Sequence, residues 1–177
     1  MHYRIGRWVE LLAQAVAILG GVMLLALTVM TVISIAGRQM IGLGLGPIPG
    51  DFELVAAGSA FAVCAFLPWT QLQRGHADVG IFSDHFPKKV NAAIDVVTEV
   101  LLFAIAVVLT WRLIYGLLDK QAYNETTFIL QFPLWWGYAG CLVGLVTWIV
   151  VGAYCVWSAM IAFVSGKDTR AGREAVH

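Results

Sequence analysis

Four long apolar runs, separated by short polar stretches, set the pattern of this chain. They cover about residues 11–36, 52–70, 92–118 and 134–164. An α-helix rises ~1.5 Å per residue, so runs of this length match a hydrocarbon core of about 30 Å. A backbone in lipid has to satisfy its own hydrogen bonds, so each run is predicted to be a transmembrane helix. The pattern predicts an all-α integral membrane protein with a single membrane domain over residues 1–177.

The composition agrees with a membrane protein. Of the 177 residues, 60% are hydrophobic and only 12% are charged, whereas soluble domains carry about 25% charged residues. The formal net charge is zero, and there is no basic, aromatic-rich helix, so no nucleic acid partner is expected. Cys64, Cys141 and Cys155 occur singly within apolar runs. We interpret them as small hydrophobic residues and not as metal ligands.

Basic residues predict the orientation of the helices. With both termini inside, eight of the 11 Lys and Arg residues lie on the inner side. These eight are Arg4, Arg7, Arg74, Lys88, Lys89, Lys167, Arg170 and Arg173. The outer side receives Arg38, Arg112 and Lys120. An excess of Lys and Arg marks the cytoplasmic side, so both termini and the loop between the second and third helices are predicted to be cytoplasmic.

The sequence gives little support for catalysis or for a bound cofactor. The histidines lie at the termini or in the inner loop, so haem ligation at mid-membrane is not expected; they are His2, His76, His85 and His177. No HExxH motif, GxSxG motif or paired cysteine occurs, and we predict a non-enzyme without a cofactor. The polar residues of the inner loop lack the closely repeated ligand spacing of a zinc site, so no metal site is predicted.

Ionisable residues near the membrane faces are candidates for structural ion pairs. Arg38 and Glu53 flank the first outer loop, and Asp95 and Glu99 lie one turn apart at the start of the third helix. Arg112 is about 26 Å from Asp95 along that helix, so these two cannot pair. The candidate ion-pair partners of Arg112 on the outer side are Asp51, Glu53 and Asp119. A subunit contact and a proton or ion relay stay open as alternatives for these residues.

Gly140 and Gly144 form a GxxxG pattern in the fourth helix. Small residues at this spacing let another helix approach closely. Because glycine is also frequent in membrane helices generally, the pattern is equally compatible with no special contact.

The inner loop gathers polar, titratable residues between long apolar runs. Residues 67–87 read LPWTQLQRGHADVGIFSDHFP. Apolar residues interspersed with polar ones predict a short amphipathic element in the cytoplasmic interface, between the second and third helices. We interpret Gly75-His76 as a turn with a local hydrogen-bond cap, or as a contact with a partner subunit or lipid headgroups.

These residues resemble the small permease subunit of TRAP (tripartite ATP-independent periplasmic) transporters, the DctQ-like family. The shared features are an acid opening helix two, a polar helix end, a G-H-x-x-V box and a Phe-Pro before helix three. In this chain they include Arg38, Glu53, Gln71, Gly75, His76, Val79 and Pro87, with Arg74 beside the box. FILQFPLWWGYAGCLVG at the entry to helix four also fits. One departure is Gly80, where the family more often has an acid; here Asp78 precedes the valine.

The resemblance implies a non-catalytic subunit of a sodium-coupled transporter in the bacterial inner membrane. Its expected partners are a large membrane-embedded transporter subunit, a periplasmic substrate-binding protein and membrane lipids. The binding protein captures the substrate, often an organic acid anion, and the large subunit moves it by an elevator motion. The small subunit is expected to pack beside the large one and brace its fixed scaffold. An anchor of a respiratory or redox complex and a small self-sufficient transporter remain as alternatives.

Overall fold

Four long α-helices make up most of the computed structural model, which describes residues 2–73 and 88–165. They are α1 (His2–Gln39), α2 (Asp51–Leu72), α3 (Lys88–Ala122) and α4 (Leu134–Ser165). Each is long and apolar enough to cross a membrane, which confirms the predicted all-α, four-helix membrane architecture. The predicted amphipathic element after α2 lies outside the described residues, and the cytoplasmic placement of the termini stays a prediction.

Three of the helices are much longer than the hydrocarbon core of a membrane is thick. α1 has 38 residues, α3 has 35 and α4 has 32, or about 57, 52 and 48 Å at ~1.5 Å per residue. α2 has 22 residues, or about 33 Å. The long helices therefore continue beyond the hydrocarbon core, where charged residues are compatible with a helix, and α2 alone is close to the core thickness.

Glycines shape the connection between α1 and α2, on the side that the sequence predicts to be outer and that is called the outer side below. A 3-10 turn at Ile41–Leu43 ends at Gly44, and α2 begins directly after Gly50. Their φ angles are 83° and 73°, in the left-handed region that glycine adopts without steric cost. The glycine-rich loop can therefore reverse the chain within a few residues.

The helices pack as an open row in the order α3, α4, α2, α1, with a smaller contact between α1 and α4. One buried cluster joins α1, α2 and α4 through Ala13, Leu72, Val151 and Cys155. A second joins α3 to α4 through Ala106, Leu145 and Trp148. α4 is thus the central helix, whereas α1 and α3 form the two flanks and keep apolar side chains uncovered. Examples are Ile18, Leu25 and Val29 on α1 and Val97, Leu101 and Val108 on α3.

The GxxxG face of α4 packs against α2 of the same chain. A Cβ atom added at Gly144 would lie 2.6 Å from the backbone C and O atoms of Cys64, closer than real Cβ atoms approach. A Cβ at Gly140 would lie 3.5 Å from the ring of Phe61. Gly144 therefore lets α2 and α4 meet almost backbone to backbone, whereas a Cβ at Gly140 would make an ordinary contact with Phe61.

Candidate functional site

A chain of buried polar side chains links α2, α3 and α4. Gln71, in the last turn of α2, donates from Nε2 to Oε2 of Glu99 on α3 at 2.7 Å. Its Oε1 accepts a hydrogen bond from the indole Nε1 of Trp148 on α4 at 2.6 Å. The three residues, which we call the Gln71 cluster, are 1%, 7% and 3% exposed respectively. One side-chain amide thus serves as donor to one helix and acceptor from another.

The surrounding residues leave room for this amide between the helices. Gly152 lies one turn beyond Trp148, and a Cβ atom there would meet Oε1 of Gln71 at 3.5 Å and the ring of Phe103 at 3.1 Å. Pro68, one turn before Gln71, is also buried. The end of α2 is therefore enclosed by its neighbours.

Helix geometry places the Gln71 cluster far from the first turn of α2, toward the side that is predicted to be cytoplasmic. Gln71 lies 18 residues beyond Glu53 in α2, or about 27 Å along that helix. In this low-dielectric region an unpaired polar group is costly, so paired groups hold helices together at about 0.6 kcal/mol per bond on average. The cluster fixes the relative heights of three helices at one level.

Glu99 lies deeper in α3 than its predicted position at the start of the helix. Because α3 begins at Lys88, Glu99 is its twelfth residue. Within the described residues its partner is the neutral amide of Gln71, and the predicted ion pairing of Glu99 stays a prediction. Asp95, one turn earlier, is half-buried. The resemblance identified Gln71, but neither of its partners could be read from spacing along the chain.

At the outer end, Asp51 joins the first outer loop to α1. The hydroxyl of Ser34 donates to Oδ2 of Asp51 at 2.5 Å and accepts a hydrogen bond from the backbone N–H of Ile48 at 3.2 Å. Arg38 approaches the same carboxylate oxygen at 3.8 Å. Arg38 is therefore paired with Asp51 and not with Glu53, since α2 begins with Asp51 facing α1. The sequence did not single out Ser34, and it offered Asp51 only as a partner of Arg112.

Glu53 binds the second outer loop. Its two carboxylate oxygens accept hydrogen bonds from the backbone N–H groups of Ile129 and Leu130 at 2.8 and 3.0 Å. The loop is closed further by an isolated bridge between Thr126 and Pro133. Both outer loops are consequently attached to the first turn of α2. Phe128, at the tip of the second loop, is 100% exposed.

The other predicted site residues are accounted for as follows. Arg112 lies exposed on α3 and makes no ion pair with any residue that the structure describes, so its predicted pairing with an outer acid is not seen among them. Arg74, Gly75 and His76 lie outside the described residues, and their roles stay predictions. Within residues 2–73 and 88–165, no group of three or more His, Cys, Asp or Glu side chains is placed to hold a metal ion.

Comparison with known families agrees with the resemblance inferred from the sequence. The family model described as "Tripartite ATP-independent periplasmic transporters, DctQ component" matches residues 27–162. This range includes the last third of α1, all of α2 and α3, nearly all of α4, both outer loops and the whole Gln71 cluster. Comparisons with curated proteins and with solved structures returned no match. The chain therefore belongs to the DctQ family, and it is a non-catalytic, multi-pass small permease component of a TRAP transporter.

Proposed function

We propose that this chain braces the large translocating subunit of a sodium-coupled transporter for organic acid anions in the bacterial inner membrane. The observation that carries the proposal is an internally tied row of helices whose two flanks keep apolar side chains uncovered. One uncovered flank packs against the large subunit, and the remaining apolar surface meets lipid. The sodium coupling and the substrate class rest on the family resemblance.

Internal rigidity supports a bracing role. α2 and α4 approach at backbone distance along Gly144, and the Gln71 cluster bonds α2 to both α3 and α4. Because these contacts hold the helices together, we expect the row of helices to move as a rigid unit. An elevator domain transports only if its counterpart stays fixed in the bilayer, and additional membrane helices on that counterpart oppose tilting.

The outer face supports a second contact, with the soluble substrate-binding protein. Both outer loops are held by carboxylates at the start of α2, through Asp51 to α1 and through Glu53 to the loop around Ile129. A surface whose loops are already ordered loses little conformational entropy on binding. We propose that the binding protein touches this ordered surface while it docks on the large subunit.

The test is sodium-driven uptake in proteoliposomes that contain the large subunit alone, with this chain, or with its Gln71→Met variant. We expect uptake to fall to background without this chain and to be reduced with the variant, which loosens the row. The control is Gln73→Met, the same substitution at an exposed position two residues later. Undiminished uptake by the large subunit alone would overturn the proposal.

A further inference from the structure

An exposed aromatic pair flanks an exposed arginine on α3. Trp111 and Tyr115 are 57% and 59% exposed, and their rings meet edge to face with centroids 5.6 Å apart. Arg112 is exposed beside them. At about 100° per residue the three side chains fall within one ~100° sector of the helix, so they share one face. This face points away from α4, which Thr110 and Leu113 approach on the other side.

The height of this face corresponds to the outer membrane boundary. Arg112 lies 13 residues beyond Glu99 and seven before Asp119, or about 20 Å outward of the Gln71 cluster and about 10 Å below the polar end of α3. Trp and Tyr are enriched at this level of membrane proteins, and a long arginine side chain extends its charge toward the headgroups.

Arg112 makes no ion pair with an acid in the described residues. Asp51 is bonded to Ser34 and contacts Arg38, and Glu53 is bonded to two backbone amides. Asp119, two turns along the same face of α3, is not within ion-pair distance of Arg112 either. At the membrane boundary the guanidinium is therefore open to an anion from outside the chain.

A phosphate fits this donor set. The guanidinium, the indole N–H of Trp111 and the hydroxyl of Tyr115 are hydrogen-bond donors, and a phosphate offers several acceptor oxygens to a bidentate arginine. Exposed apolar residues of the same face, Val108 and Leu118, lie one turn to either side of these donors. We propose that Trp111, Arg112 and Tyr115 bind the phosphate of an outer-leaflet phospholipid, with an acyl chain along Val108. This inference does not depend on the proposed bracing function.

The experiment measures lipid retention by the full chain. The chain is exchanged in detergent with phosphatidylglycerol, phosphatidylethanolamine or a phosphate-free diacyl galactolipid, and bound lipids are counted by native mass spectrometry. We expect retention of both phospholipids but not of the galactolipid. Arg112→Gln should weaken retention about tenfold, the effect of losing one charge-assisted hydrogen bond. Arg112→Lys, Trp111→Phe and Tyr115→Phe should each weaken it less.

The matched control is Arg38→Gln, which removes one positive charge from the outer side at a different helix. Equal loss with this control would mean that retention follows net charge, which overturns the proposal. So would unchanged retention in Arg112→Gln, or equal retention of the galactolipid. If Arg112→Gln instead releases a co-purified subunit while lipid retention is unchanged, the anion is a protein carboxylate and the proposal is wrong. Unfolding midpoints of all variants report whether they are folded.

Discussion

Replacing Gln71 with methionine tests the structural role of the Gln71 cluster. Methionine keeps the length of the side chain but removes both the donor to Glu99 and the acceptor for Trp148. The carboxyl of Glu99 and the indole N–H of Trp148 then lose this partner while they remain buried. The variant therefore loses the hydrogen bonds that join α2 to α3 and α4 near the end of α2.

The expected loss follows from the two hydrogen bonds. Side-chain bonds between membrane helices contribute about 0.6 kcal/mol on average and up to about 1.7 kcal/mol. Two such bonds give a decrease of about 1–3 kcal/mol in the free energy of unfolding. At about 2–4 °C per kcal/mol for a chain of this size, the melting temperature should fall by roughly 2–12 °C.

The assay is unfolding by sodium dodecyl sulfate in mixed micelles, followed by tryptophan fluorescence. Gln73→Met is the matched control, because Gln73 is exposed and should change the unfolding free energy by less than about 0.5 kcal/mol. A double-mutant cycle with Trp148→Phe should give a non-additive coupling. Equal stability of Gln71→Met and Gln73→Met, or strictly additive effects in the cycle, would refute the reasoning.

Three further predictions concern helix packing, the buried acid and the outer loop. Gly144→Leu should destabilise the chain by about 1–3 kcal/mol because α2 and α4 must separate. The control Gly21→Leu should be tolerated, since a Cβ atom at Gly21 meets nothing within 4 Å. Equal unfolding midpoints of the two variants would contradict this. Glu99→Gln should be milder than Glu99→Leu, since an amide oxygen still accepts the bond from α2; the same unfolding assay decides, and equal losses would be inconsistent with that bond. Glu53→Ala should speed chymotrypsin cleavage after Phe128 about tenfold, because the loop loses two charge-assisted hydrogen bonds; an unchanged cleavage rate would mean that the loop is ordered by other contacts.

The polar residues at the outer ends of the helices show which contacts can be predicted from sequence spacing alone. The sequence located Arg38 and Glu53 on either side of the first outer loop, and the structure places both at the outer end of the row. The partners differed because the loop returns the chain so that Asp51 faces Ser34. A polar residue near a membrane face can thus be located from the sequence, but the direction of its side chain depends on how the neighbouring helix enters.

The sequence by itself determined the four membrane helices, the apolar character of their flanks and the family. These follow from local chemistry, because each apolar run has to form a helix in lipid whatever its neighbours do. The tertiary structure decided that Gly144 is the glycine at which α2 and α4 approach each other. It also decided that Gln71 is hydrogen-bonded to both Glu99 and Trp148. Gln71 lies 28 residues from Glu99 and 77 from Trp148. No local pattern encodes such contacts, since they exist only once the helices have packed at a particular height and rotation.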